Sequence, residues 1–162
     1  MLSWDDLFMN MVYLVAMRSK DINTHVGAVI VGEDHEVRSV GYNSFPRGIN
    51  DNVSERQEGP EKYYWFAHAE ANAIANAALA GISVKNCILY TNGTPCSSCA
   101  VSIINSGIRK IIIDSVWEST NKGLWAEEAR RSLKMFLEAG VSVKYWSGQL
   151  VTIKRFRKSE FF

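Results

Sequence analysis

The sequence has 162 residues, 47% of them hydrophobic and 22% charged, with a formal net charge of +1. This suffices for one globular domain over residues 1–162 with a substantial core, and it lies far from the apolar-poor, highly charged signature of disorder. The near-neutral balance gives no footing to a long polyanion, so no nucleic-acid partner is expected, and no apolar run approaches the roughly 20 residues of a membrane-spanning helix.

From the N-terminus, Trp4, Leu7, Phe8, Met11, Leu14 and Val15 recur at helical spacing behind Ser3, with Asp6 completing a capping box, and predict a helix over Trp4 to Ser19. Asp5 and Asp6 stand where a secretory leader would be basic, so a cytoplasmic location is expected. Val26 to Val31 and Glu36 to Tyr42 are rich in β-branched residues and flank a short turn, Gly32 to His35, which predicts an antiparallel hairpin. Asn43 to Lys62 carries two prolines and three asparagines and suits a long surface loop. An alanine-rich helix follows from about Ala67 and stops at Gly81. Cys87 to Thr91, Arg109 to Asp114 and Val141 to Trp146 read as strands, with helices over Ser97 to Ser106 and Ala126 to Ala139 between them. Helical crossovers imply parallel neighbours, so the expected fold is a three-layer α/β/α sandwich around a five-stranded mixed sheet.

Two strings carry the chemistry: His68-Ala69-Glu70 and Pro95-Cys96-Ser97-Ser98-Cys99, each at the predicted start of a helix. Thiols three residues apart share one helix face, and a helix N-terminus favours the thiolate. One imidazole and two thiolates suit zinc and leave its fourth position to water, the pattern of a catalytic rather than a closed structural site. Two thiolates also neutralise the ion, so a base is needed, and Glu70 lies close enough to supply one. H-x-E with P-C-x-x-C is a known signature of zinc nucleobase deaminases. Cys87 reads as a buried apolar side chain, and His25 and His35 as structural or solvated. Trp117 and Trp125, on either side of a polar stretch at the sheet edge where ligands bind, read either as walls of a nucleotide pocket or, the favoured reading, as core or subunit contacts. The basic run Lys154 to Lys158 reads as a solvated or subunit-contacting tail.

The likeness extends over most of the chain through Arg18-Ser19-Lys20-Asp21, Val26-Gly27-Ala28, Gly41-Tyr42-Asn43 with Pro46 and Gly48, Asn72-Ala73-Ile74, Cys99-Ala100 with Ile103-Ile104, and Gly107-Ile108. On these residues the sequence resembles the deoxycytidylate deaminase family of the cytidine deaminase superfamily. The resemblance implies a cytidine deaminase-like fold and hydrolysis of dCMP to dUMP and ammonia, supplying thymidylate precursor. It implies Zn²⁺ on His68, Cys96 and Cys99, protons moved by Glu70, the base carbonyl met by the Ala69 N–H, and the sugar hydroxyl held by Asn43. It further implies a homohexamer activated by dCTP and inhibited by dTTP, these effectors binding with Mg²⁺ at a separate site drawn from Arg18, Lys20, Asp21, Arg47, Gly48, Asn50 and Asp51. Ser44 and Asn52 depart from the residues many relatives carry there. Some viral relatives hold a second, structural zinc; with neither Cys nor His between Asn43 and His68, one zinc per subunit is expected.

Overall fold

The first helix, α1 (Trp4–Ala16), begins with the reciprocal cap its sequence encodes: the Ser3 hydroxyl accepts from the Asp6 N–H at 3.1 Å, and the Asp6 carboxylate accepts from the Ser3 N–H at 3.3 Å. It ends three residues short of the expected Ser19. Arg18 and Ser19 close tight turns onto Val15 and Ala16, and the Ser19 hydroxyl donates to the Asn43 carbonyl at 2.9 Å, drawing the chain away from the helix axis. The computed structural model describes residues 1–153 and the backbone of 156–157 and 160–161.

Strands β1 (Gly27–Val31) and β2 (Val37–Tyr42) form the expected hairpin, with an irregular register between Ile30 and Val31. The stretch expected as loop, Asn43 to Lys62, holds one 3₁₀ turn at Ser54–Gln57, and a short helix α2 (Lys62–Trp65) starts at its last residue. Phe45 against Phe66, ring centroids 4.3 Å apart, and a Ser44–Ala67 bridge clip its two ends together. Helix α3 (Ala69–Leu79), strand β3 (Ile88–Thr91), helix α4 (Ser97–Ser106) and strand β4 (Lys110–Asp114) follow, then helices α5 (Ser115–Glu118) and α6 (Leu124–Glu138) and strand β5 (Ser142–Trp146). Gly107 takes φ 85° to cap α4, a conformation open to glycine at no steric cost. Phe156–Arg157 (β6) and Glu160–Phe161 (β7) pair antiparallel, whereas Lys154, Arg155 and Lys158 of the basic run lie outside the described residues.

The five-stranded sheet has the order β2-β1-β3-β4-β5, antiparallel on either side of β1 and parallel from β3 to β5. Strand alternation divides the core. Ala28, Ile30, Leu89, Ile111 and Ile113 pack with Ala69, Ala73, Ala100, Ile103 and Phe136 from α3, α4 and α6, while Val29, Val31, Tyr90 and Ile112 pack with Phe8, Met9 and Val12 from α1. Three layers result, and they aim two helix N-termini, those of α3 and α4, at the same edge. No helix among the described residues is long and apolar enough to cross a membrane.

Candidate metal centre and nucleotide cleft

His68 is the N-cap residue of α3 and Cys96 that of α4, each with extended backbone at the last residue before its helix. Cys99 lies one turn further along α4. His68 Nδ1 is 3.2 Å from Cys96 Sγ and 3.5 Å from Cys99 Sγ, and the three ligand atoms lie within 4.8 Å of one another. Tetrahedral zinc bonded at ordinary Zn–N and Zn–S lengths separates such atoms by about 3.5 Å, so the trio fits the ion. Hydrogen bonds from Cys99 and His68 hold the Cys96 thiol down to about 4, whereas its bond to Cys96, and then burial, push Cys99 up. Zinc takes both sulfurs as thiolates, so its binding would release whatever protons they hold.

Glu70, in the first turn of α3, is buried beside this trio. Burial pushes its carboxyl above the usual range, against the pull of His68. Its Oε1 accepts from the Thr91 hydroxyl at 3.2 Å. A cleft of about 930 Å³ opens over these groups, large enough for a nucleotide. Its lining includes His68, Ala69, Glu70, Cys96 and Asn43, so the residues expected to work on substrate meet at one cavity. As the first residue of α3, Ala69 carries an N–H without an intrahelical partner.

Asn43 is committed more deeply than its expected role required. Its amide nitrogen donates to the Thr24 carbonyl at 2.8 Å and to Asp21 at 3.2 Å, and its oxygen accepts from the Val26 N–H at 2.8 Å. Both donors are used, leaving one lone pair to accept from a ligand hydroxyl. Asp21 is the hub of this wall: it accepts from the N–H groups of Asn23 and Thr24 and pairs with Lys62 Nζ at 2.6 Å, both side chains largely buried.

Trp117 and Trp125 both line the cleft, as pocket walls rather than core side chains. Trp117 packs over Gly93, where a Cβ would stand 2.8 Å from its ring. The Trp125 ring lies 6.3 Å from that of His68 and 6.4 Å from that of Tyr63 on α2. Carboxylates beside these tryptophans hold the ligand loop: Glu118 accepts from the Thr94 N–H at 2.8 Å, and Glu128 from the Ser97 N–H at 3.0 Å. Composition gave no sign of these links, which join elements 24 and 31 residues apart. His35 stacks on Trp4 at 4.4 Å, remote from the cleft, and Cys87 is buried, as their sequence contexts suggested. His25 lies on the cleft wall.

A second cavity of about 300 Å³ is separate from the first and is lined by Arg18, Lys20, Arg47, Gly48 and Asp51 with Tyr42 and Asn76. Lys20 pairs with Asp51, and Arg47 donates to Asn76. Two residues of the expected effector set lie elsewhere. Asp21 faces the large cleft, where Lys62, Asn43 and the N–H groups of Asn23 and Thr24 engage its carboxylate. Asn50 instead organises its own loop, its side chain accepting from the Asn52 N–H at 3.0 Å and its carbonyl from Arg56 at 2.8 Å.

Residues 2–115 match the family described as the cytidine and deoxycytidylate deaminase zinc-binding region. The chain is 36% identical over 148 residues to human deoxycytidylate deaminase, covering 88% of this chain and 79% of that one. It is 37% identical over 144 residues to the uncharacterized deaminase of the luxG 3′ region of Aliivibrio fischeri, covering 88% and 92%. In fold it is similar to the dCMP deaminase of cyanophage S-TIM5 solved with dCMP and dUMP, at a TM-score of 0.70 and 21% identity over 87% of this chain and 95% of that one.

Proposed function

The chain belongs to the cytidine and deoxycytidylate deaminase family, and we propose that it hydrolyses dCMP to dUMP and ammonia. The observation carrying this reading is the convergence of His68, Cys96 and Cys99 beside the buried Glu70 in one nucleotide-sized cleft. His68, Cys96 and Cys99 would hold one zinc per chain; when bound, zinc supplies a Lewis acid that brings the pKa of water toward about 7. Glu70 takes a proton from the attacking water and gives it to cytosine N3 as the water oxygen bonds to C4, then moves the proton of the new C4 hydroxyl to the amino group, which leaves as ammonia as the C4 carbonyl forms. The Ala69 N–H meets the base carbonyl, and the free lone pair of Asn43 accepts from the sugar hydroxyl. Trp125 and Tyr63 flank the cleft and suit stacking on the base.

The smaller cavity supports a regulatory reading, in which dCTP activates and dTTP inhibits from a site holding a nucleoside triphosphate with Mg²⁺. Arg18, Lys20 and Arg47 meet its phosphates and Asp51 its counter-ion. Exposed apolar side chains such as Leu124 and Leu137 on α6 support assembly of copies, for which a homohexamer in the cytoplasm is the reading we adopt. A turnover panel of dCMP, dCTP, CMP and deoxycytidine, each with and without dTTP, tests the whole. dCMP is expected to turn over fastest, dTTP to suppress it, and Arg47→Ala to flatten the response. Zinc-loaded protein inert toward all four compounds would refute the enzymatic reading.

A further inference from the structure

Strand β3 sits in the middle of the sheet, with Thr91 aligned on Ala28 of β1 and Ile113 of β4. Its alternation sends Tyr90 to the α1 side and Leu89 and Thr91 to the side of α3 and α4. The neighbouring side chains on that face, Ala28, Ile30, Leu89, Ile111 and Ile113, are apolar. Thr91 brings a hydroxyl there, fully buried. A buried hydroxyl is retained without cost only where it has a partner, and Thr91 Oγ1 has two acceptors within reach of its single proton, Gly27 O and Glu70 Oε1, each at 3.2 Å.

These partners differ in kind. Gly27 contributes backbone packed tightly at the start of β1: its N–H donates to Asn92 Oδ1 at 2.7 Å, and a Cβ at that position would stand 2.1 Å from the Val12 carbonyl oxygen. Glu70 is a side chain with three rotatable bonds, and Thr91 is the one side chain that hydrogen-bonds its carboxyl among the described residues. We propose that Thr91 is the positioning residue of the proton-moving carboxyl, tying Glu70 to the rigid centre of the sheet so that its free oxygen addresses the cleft. The proposal rests on the deaminase reading above. It concerns the aim of Glu70 rather than metal binding, since Thr91 touches none of His68, Cys96 and Cys99 through a hydrogen bond.

Thr91→Val keeps shape and β-branching and removes only the oxygen, while Thr91→Ser restores it. In zinc-loaded full-length protein, Thr91→Val is expected to lower kcat for dCMP by roughly 10- to 100-fold, the cost of misaiming a reacting group. KM and zinc content should hold at the wild-type values, and Thr91→Ser should recover most of kcat. An isotope-edited infrared difference spectrum against Glu70→Gln reads hydrogen bonding at the carboxyl without turnover, and should shift in Thr91→Val but not in Thr91→Ser. Unchanged kcat in Thr91→Val, or equal losses in both variants, overturns the proposal. Should Thr91→Val fail to fold, Thr91→Ala takes its place beside Thr91→Ser under the same criteria. If the wild type proves inert, the deaminase reading falls, and the infrared shift alone decides whether Thr91 holds Glu70.

Discussion

Gly41 of β2 presses directly on the first turn of α3: a Cβ on Gly41 would stand 2.3 Å from the Ala69 carbonyl oxygen and 2.3 Å from the Ala73 nitrogen. Both contacts are backbone, so no side chain can swing away to make room. The strand therefore sets how deep the helix bearing His68 and Glu70 sits. Gly41→Ala must push α3 outward, and overpacking of this kind costs about 1–3 kcal/mol. Thermal melting should fall by several degrees, about 2–4 °C per kcal/mol for a chain of this size. Ammonia release from dCMP should fall further than the loss of folded protein explains. A Gly41→Ala protein with native melting and full turnover would show that the helix does not take its depth from β2.

Glu70→Gln separates proton transfer from metal binding. The amide keeps the size of the side chain and its bond with Thr91 but cannot accept and return a proton, so turnover should drop by roughly 10²- to 10⁴-fold. Zinc content, measured by atomic emission, should match the wild type, because His68, Cys96 and Cys99 suffice for the ion. Loss of zinc from the variant would assign Glu70 to the coordination sphere instead.

Cys99→Ser removes the more deeply buried sulfur of the trio. Serine is a poor zinc ligand, and zinc stoichiometry should fall well below the one per chain expected of wild-type protein. Because metal binding to the folded form adds stability, chelator treatment of the wild type should lower its melting temperature, and added zinc should restore both melting and turnover. In Cys99→Ser added zinc should restore neither.

Local signals were legible in the sequence and long-range partners were not. Ser3 and Asp6 sit three residues apart and specify a helix start wherever they occur, and His68 and Cys96 mark loop-to-helix junctions by their neighbours alone. Lys62 finds Asp21 across 41 residues, and Thr91 finds Glu70 across 21; no spacing rule links such pairs before the chain is folded. Arg18 to Asp21 looked like one charged unit, yet Lys20 points to Asp51 and Asp21 to the large cleft. Tryptophan misled for a different reason. Aromatic burial is the ordinary fate of so large a side chain, and nothing in the sequence distinguishes a wall of the core from a wall of a cleft.

The N-terminal helix is fastened to the sheet by a carboxylate whose effect depends on pH. Partial burial pushes the Asp5 carboxyl up, but hydrogen bonds from Lys144 at 2.7 Å and Tyr90 at 2.8 Å outweigh it and hold Asp5 below its ordinary value of 3.8. A depressed native value means that the unfolded chain binds more protons in the intervening window, so stability rises with pH there. The contribution is fully present above about pH 4 and disappears as pH falls through the lower native value. Asp5→Asn should therefore melt lower than the wild type at neutral pH, by about 1 kcal/mol of stability, with the gap closing in acid. A gap of constant size from neutral to strongly acidic pH would show that the loss is packing rather than charge.

Trp125 offers the most direct test of how the cleft holds a base. Its ring lies 6.3 Å from the His68 imidazole and 6.4 Å from Tyr63, and it is 45% exposed, so it is available to a ligand rather than committed to the core. Stacking of a base on an aromatic ring contributes about 1–3 kcal/mol, which Trp125→Ala would forfeit. KM for dCMP should rise roughly tenfold or more while zinc content stays unchanged, and Trp125→Phe should recover much of the loss. If stacking is made equally in ground and transition states, kcat will hold and only KM will move. A fall in kcat at constant KM would instead mean that Trp125 acts in the transition state, as a wall that keeps bulk water from the buried carboxyl.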